Sequence, residues 1–167
     1  MEEEWKQIEG FSNYYISNLG NIKNQYDKYL KYNPNPKGYL GLALTNDNGE
    51  RKAFGVHRLI GLAFLEKIEG KGYVDHIDRN KQNNKLENLR WVSNAGNIRN
   101  QNKRNGYSSK YKGVSFDKSR NKWSAKIKVN YNTVNLGRYE TEEEAALVYN
   151  KFVIENNIEG ALLNKII

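Results

Sequence analysis

The chain has 167 residues, room for one medium domain or two small ones, and carries a formal net charge of +8 with a pI near 9.5. It has no cysteine, which excludes disulfides, thiolate-bound zinc and cysteine nucleophiles, and its only histidines are His57 and His76, so any metal site must draw on carboxylates, amides and substrate oxygens. The charge calls for a polyanion, and nucleic acid fits better than a membrane because the sequence shows no long apolar run, signal peptide or wide-faced basic amphipathic helix.

The hydrophobic fraction of 38% and mean hydropathy of −0.89 are low, but 12 tyrosines and 3 tryptophans supply the bulk for a core. Residues 3 to 24 alternate apolar and polar in short runs broken at Gly10 and at Asn18-Leu19-Gly20, the pattern of small β-strands. Trp5, Ile8, Gly10, Tyr15, Ser17, Asn18 and Gly20 make this segment resemble the modular DNA-binding motif found beside HNH nucleases. Past Pro34 and Pro36, Tyr39 to Leu44 and Arg51 to Val56 flank the turn Asn46 to Gly49 and predict a hairpin. In His57 to Leu65, apolar residues at Leu59, Ile60, Ala63 and Phe64 have helical spacing, and His57 opens that helix in a structural role.

Gly72 to Asp78 reads as a strand carrying Asp75 and His76 at its end, followed by a polar loop from Arg79 to Lys85. A turn and return strand from Leu86 to Val92 come next, then Ser93 as N-cap of a helix starting at Asn94. Phosphodiester hydrolysis needs an activated water and a cation against developing charge. Asp75 is a hard anionic ligand, His76 can take a proton near neutrality, and Asn97 offers an amide oxygen as second ligand.

The order Asp75, His76, Asp78, Asn80, then Asn83 and Asn84, then Asn88, Leu89, Trp91 and Val92, then Asn97, closely resembles the HNH, or ββα-metal, nuclease family. The resemblance implies that Asp75 and Asn97 bind one divalent cation, that His76 is the general base, and that Asn88 braces the loop and so orients His76. Asp78, Asn80, Asn83 and Asn84 read as turn residues. Asn97 stands where many members carry histidine, a variant resembling phage homing endonucleases, and Mg²⁺ or Mn²⁺ is expected in preference to Zn²⁺ or Ni²⁺.

After a basic stretch from Asn97 to Arg104, strands are predicted at Tyr111 to Phe116, Lys122 to Val129 and Thr133 to Tyr139. A helix follows, with Thr141 and Glu144 as capping box and Ala145, Val148, Tyr149 and Phe152 as its apolar stripe. Trp123, Ala125, Ile127 and Val129 share one strand face and Ser124, Lys126 and Lys128 the other. Tyr111, Gly113, Val114, the run from Lys122 to Ile127, Leu136-Gly137, Tyr149 and Ala161 to Asn164 make this segment resemble the APETALA-type DNA-binding domain. That family's sheet lies in the major groove, which implies DNA contacts from Lys112, Lys118, Arg120, Lys126, Lys128 and Asn135. Lysines where the family has arginines make poorer bidentate contacts to guanine and point to relaxed base readout.

The expected fold class is α+β: a ββα-metal HNH core followed by a small three-stranded antiparallel sheet packed on one helix. Its parts are a β-rich motif over 1–54, the nuclease core over 55–105 and the DNA-binding domain over 106–167. The expected activity is metal-dependent cleavage of double-stranded DNA by a homing-type endonuclease that nicks one strand as a monomer. It uses no small-molecule cofactor and no membrane, and acts in the cytoplasm of a host cell as a phage- or virus-encoded protein. The rivals are a non-cleaving DNA-binding regulator with the same fold, and an RNA-directed protein using Tyr107 and Tyr111 as stacking platforms.

Overall fold

The computed structural model describes residues 2–101, 106 and 108–166. The end of the basic stretch, 102–104, and Tyr107 lie outside the described residues. The chain divides into two compact units, Met1–Asn94 and Ala95–Ile167.

The first unit joins three small antiparallel sheets and one helix around one core. β1 (Trp5–Ile8), β2 (Phe11–Ser17) and β3 (Ile22–Asn24) form the first sheet, and β4 (Asn33–Pro34), β5 (Leu40–Thr45) and β6 (Arg51–Gly55) the second. The hairpin expected around Asn46 to Gly49 is β5–β6, its turn tied by Asn46, whose side-chain oxygen accepts from the Asn48 and Glu50 amides. Helix α1 (Val56–Phe64) follows, then the pair β7 (Tyr73–His76) and β8 (Leu89–Val92), with a 3₁₀ turn, Leu86–Asn88, before β8.

In α1 the buried residues are Val56, Leu59, Ile60 and Gly61, so the burying face lies nearer the N-terminus than the expected one, with Ala63 and Phe64 only half buried. One cluster holds Ile8, Ile16 and Leu44 from the N-terminal sheets together with Leu59, Ile60, Val74 and Trp91. Residues on both sides of position 54 therefore share a single core. Asn18, 2% exposed, extends this union: its side chain accepts from the Glu4 amide and donates to the Glu2 carbonyl, and its own carbonyl accepts from the Leu86 amide. Such a buried amide is tolerable because its donors and acceptors are paired.

α2 (Asn94–Asn100) starts at the last residue of the first unit, and the second unit continues with β9 (Val114–Asp117), β10 (Lys122–Val129), β11 (Asn132–Tyr139) and α3 (Glu142–Glu155), with sheet order β11-β10-β9. β9 begins later than its sequence predicts, because Ser109 Oγ turns the chain by accepting from the Tyr111 amide and the Gly113 carbonyl is taken by the Lys126 amide. The capping box forms as expected: Thr141 accepts from the Glu144 amide and Glu144 accepts from the Thr141 amide. The buried stripe of α3 is Ala145, Ala146, Tyr149 and Val153, rotated from the predicted one, since two adjacent alanines allow the close approach and leave Val148 and Phe152 less deeply covered.

Gly61 sets the distance between α1 and the strand that carries the site. A Cβ there would drive into the Val74 side chain. Alanine is the better helix former by about 1 kcal/mol, yet the overpacking should cost about 1–3 kcal/mol. Gly61→Ala is therefore expected to lower stability in urea unfolding, and a variant as stable as the parent would refute tight packing of α1 on β7.

Candidate active site

β7 and β8 pair so that Asp75 lies opposite Arg90 and His76 opposite Leu89. Asp75 is 8% and His76 3% exposed, at the end of a strand that stops where the sequence turns polar. Adjacent strand residues point to opposite faces, and the chain bends at once: the Arg79 amide donates to the His76 carbonyl, with Arg79 at φ 66°. Arg90 holds the Asp75 carboxylate across the strands, Nη2 to Oδ2 at 3.2 Å and Nε to Oδ2 at 3.4 Å. The register that creates this pair is invisible in sequence, and no role was expected for Arg90.

The loop between the strands is tied by its own side chains. Asn88, buried, accepts from the Asp78 amide through Oδ1 at 3.0 Å and donates through Nδ2 to Asp78 Oδ1 and to the Asn83 carbonyl, each at 2.8 Å. Asp78 also accepts from the Asn80 amide and from Asn83 Nδ2. Partial desolvation pushes the Asp78 carboxyl upward, but the hydrogen bonds from Asn83, the Asn80 amide and Asn88 prevail and hold it below the usual carboxylate range.

Asn84, expected to be a turn residue, is buried against the catalytic candidate. Its Nδ2 faces the Gln82 carbonyl at 3.4 Å, so Oδ1 is the atom 3.0 Å from His76 Nε2. An amide oxygen accepts only, so His76 carries its proton on Nε2 and presents Nδ1 as the basic nitrogen. The doubled Asn83-Asn84 was the only sequence signal for this pairing. Behind Asn84 stands Gly20 of the Ser-Asn-x-Gly turn, where a Cβ would lie 3.3 Å from Asn84 Cβ.

The rings of Tyr39 and His57 complete the surroundings of His76, with centroids 6.0 Å and 5.0 Å from its own. Burial, then the neighbouring His76 and Arg58, push the His57 pKa down from 6.5 to about 4.

Asn97 belongs to the second unit and is half buried on α2. Its helix is tied to that unit's sheet and closing segment: Arg99 Nη1 donates to the Glu159 carbonyl and Nε to the Lys128 carbonyl. Lys112 turns its ammonium onto the Arg99 and Gln101 carbonyls at the end of α2, which departs from the DNA-facing role expected of it. Arg120, exposed, lies 3.6 Å from Asp117, which also receives Arg138 at 3.0 Å. Ser119 and Arg138 together lower the Asp117 pKa to about 2. Lys118, Lys126, Lys128 and Asn135 stand toward solvent, and the ladder sets Lys126 opposite Asn135 and Lys128 opposite Thr133. The opposite face, with Ala125, Ile127 and half-buried Val134 and Leu136, packs with α3 residues. Ser124, assigned to the basic face, is buried. Tyr111, expected as a stacking platform, is 4% exposed with its ring in the core, so it offers no surface to a base.

Among the described residues no group of three or more His, Cys, Asp or Glu side chains could hold a metal. The candidate donors, the Asp75 carboxylate and the Asn97 amide, are hard oxygens and few. That set fits a cation which keeps several waters or takes substrate oxygens, as Mg²⁺ does, and does not fit a closed zinc site.

Three family models match successive segments: the NUMOD4 motif at residues 3–48, HNH endonuclease at 54–99 and the AP2 domain at 109–158. The chain thus carries an HNH endonuclease domain between a NUMOD4 motif and an AP2 domain. It is homologous to DNA endonuclease I-HmuI of Bacillus phage SP01, being 41% identical over 100 residues, which are 59% of this chain and 57% of that protein. The HNH endonuclease L560 of Acanthamoeba polyphaga mimivirus is 37% identical over 130 residues, covering 77% of this chain and 65% of its own length. A solved structure described as DNA binding and cleavage by the HNH homing endonuclease I-HmuI superposes with a TM-score of 0.53 at 40% identity, over 59% of this chain and 57% of that one. The chain thus spans less than two thirds of the length of the curated relatives it matches. HNH nucleases depend on a divalent metal, and the relatives come from a phage and a giant virus. Among the described residues no helix is long and apolar enough to cross a membrane.

A His57 pKa below its ordinary value means that the unfolded chain binds a proton which the folded one refuses. The contribution of this residue to stability is therefore full above pH 6.5 and lost as pH falls from 6.5 to about 4. The unfolding free energy of the parent relative to that of His57→Phe should therefore fall as pH is lowered across that window. A difference independent of pH would contradict a neutral, buried His57.

Proposed function

We propose that this chain is a metal-dependent DNA endonuclease of the homing type, which nicks one strand of double-stranded DNA as a monomer inside a virus-infected or phage-infected cell. The observation that carries the reading is the hydrogen bond with Asn84, which leaves His76 with Nδ1 as its basic nitrogen beside the Asp75–Arg90 pair, in a segment that matches the HNH endonuclease model.

In this reading the division of labour is 1–54 for a DNA-binding motif, 55–105 for the nuclease core and 106–167 for the second DNA-binding domain. His76 Nδ1 takes the proton of the attacking water while Nε2–H stays on Asn84. Asn88 holds the loop that presents both residues. Asp75 and Asn97 would hold one Mg²⁺ or Mn²⁺, with Arg90 keeping the Asp75 carboxylate oriented. When bound, such an ion would supply charge neutralisation for the reacting phosphodiester. A single such site acts on one phosphodiester at a time, so one chain makes a nick. Lys118, Lys126, Lys128 and Asn135, with Arg120 beside Asp117, hold the duplex chiefly through phosphates.

Supercoiled plasmid with Mg²⁺ should become open circle with the wild-type chain, and chelation should stop it. His76→Ala is expected to lower the rate by about 10²–10⁴-fold, the usual worth of a general base, with duplex affinity in Ca²⁺ retained. An intact plasmid under both Mg²⁺ and Mn²⁺ across a panel of sites would favour a non-cleaving regulator instead. For the sheet, Lys126→Ala with Lys128→Ala should weaken binding and reduce the slope of log affinity against log salt by about 2, since each phosphate left without its lysine removes about 0.9. An unchanged slope would remove this face from the interface.

A further inference from the structure

His57 stands in the first turn of α1 with its imidazole 5.0 Å from that of His76 and 5.1 Å from the ring of Tyr39, centroid to centroid. Its seat is made by an absence. A Cβ on Gly55 would stand 2.7 Å from His57 Cε1 and 3.0 Å from Nδ1, so any other residue at that position would push the ring out of place.

Within this seat Nδ1 is shut off from solvent and has no hydrogen-bond partner. An orphaned buried polar atom costs about 1–3 kcal/mol. Phenylalanine would fill the same space without that cost, so packing alone does not account for an imidazole here. Buried N–H groups are orphaned more rarely than acceptors, because a bare lone pair is the cheaper atom to strand. The proton therefore belongs on Nε2, and the neutral ring becomes a one-sided donor.

We propose that His57 is a second functional imidazole of this site, a neutral hydrogen-bond donor through Nε2–H to a non-bridging oxygen of the phosphate on which His76 acts. The proposal rests on the nuclease reading above. A fixed donor aimed at oxygens that gain charge in the transition state needs no reorganisation as the reaction proceeds. Neutrality matters for the neighbour: a lysine or arginine in this seat would disfavour the imidazolium that His76 must become when it takes the proton.

Nicking measured with wild type, His57→Phe and His57→Gln under Mg²⁺ tests the assignment. His57→Phe should fold and lose little of its duplex affinity in Ca²⁺, where many other phosphate contacts remain, yet cleave on the order of 10²-fold more slowly, the usual loss for one such donor. His57→Gln keeps a neutral donor and should recover about tenfold of that rate. A Phe variant that cleaves at the parental rate, or a Gln variant no faster than the Phe one, overturns the proposal. If His57→Phe folds poorly, the ring nitrogens of the wild-type chain decide by NMR. Adding duplex in Ca²⁺ should shift the His57 Nε2–H signal downfield and slow its exchange, and an unmoved signal rejects the hydrogen bond. Because that signal needs no cleavage, the two failures separate. A chain whose His57 responds to duplex but which never nicks loses the nuclease reading and keeps the donor, whereas nicking with an unmoved signal does the reverse.

Discussion

The reciprocal hydrogen bonding between Asn88 and Asp78 is the constraint on which the candidate site depends. The loop from Ile77 to Asn88 has little apolar surface of its own, and a connection of that length between two short strands would otherwise be loose. Asn88 closes it at both ends by accepting from the Asp78 amide and donating to the Asn83 carbonyl, while Asp78 gathers Asn80 and Asn83. Each such bond is worth only about 0.5–1.5 kcal/mol net, but their shared atoms make them one unit. What the unit delivers is Asn84, set against His76 Nε2 and thereby fixing which nitrogen carries the proton. Asn88 acts on His76 in this scheme through the geometry of the loop alone.

That loop is in turn propped by the N-terminal segment. The Asn18 carbonyl takes the Leu86 amide, Gly20 lies against Asn84, and Lys81 Nζ donates to the Lys37 carbonyl while sitting 4.6 Å from the ring of Tyr39. The shared core argues the same way, since Ile16 and Leu44 pack in one cluster with Val74 and Trp91. The segment matched by the NUMOD4 motif is thus part of the wall behind His76 as well as a candidate surface for DNA. The small N-terminal sheets and the nuclease core thus bury their apolar faces against one another in one cluster, which neither would fill alone.

How much of this was legible in the chain depended on the kind of signal. Local signals read through: the turn at Asn46 to Gly49, the Thr141–Glu144 box and the alternation along Lys122 to Val129 each determine their own element. Asp75, His76, Asn88 and Asn97 could be singled out because their spacing resembles a known pattern. Pairings set by register or by tertiary packing did not read through. Arg90 meets Asp75 only because β7 and β8 pair with His76 opposite Leu89, and a shift of one residue would have faced it the other way. Lys112 is indistinguishable in sequence from Lys126, yet one caps the carbonyl end of α2 and the other stands exposed. The seat that Gly55 leaves for the His57 ring did not read through either, because a missing side chain leaves no periodic mark.

On the proposed reading, the sparse metal site and the basic sheet answer each other. One carboxylate and one amide would hold a hard divalent cation only weakly, and oxygens of the substrate would add to that donor set. Metal affinity and DNA affinity are then linked, and each binds more tightly in the presence of the other. The sheet raises the local concentration of duplex through Lys126 and Lys128, which face their partners Asn135 and Thr133 across the ladder. Lysines act there as point charges toward phosphate rather than as bidentate readers of guanine. Affinity supplied in this way depends on salt and varies little with sequence, so the choice of the bond to be cut must come from how the backbone is fitted at His76. A donor such as His57 would act at that step, because it rewards only a phosphate already seated beside the base.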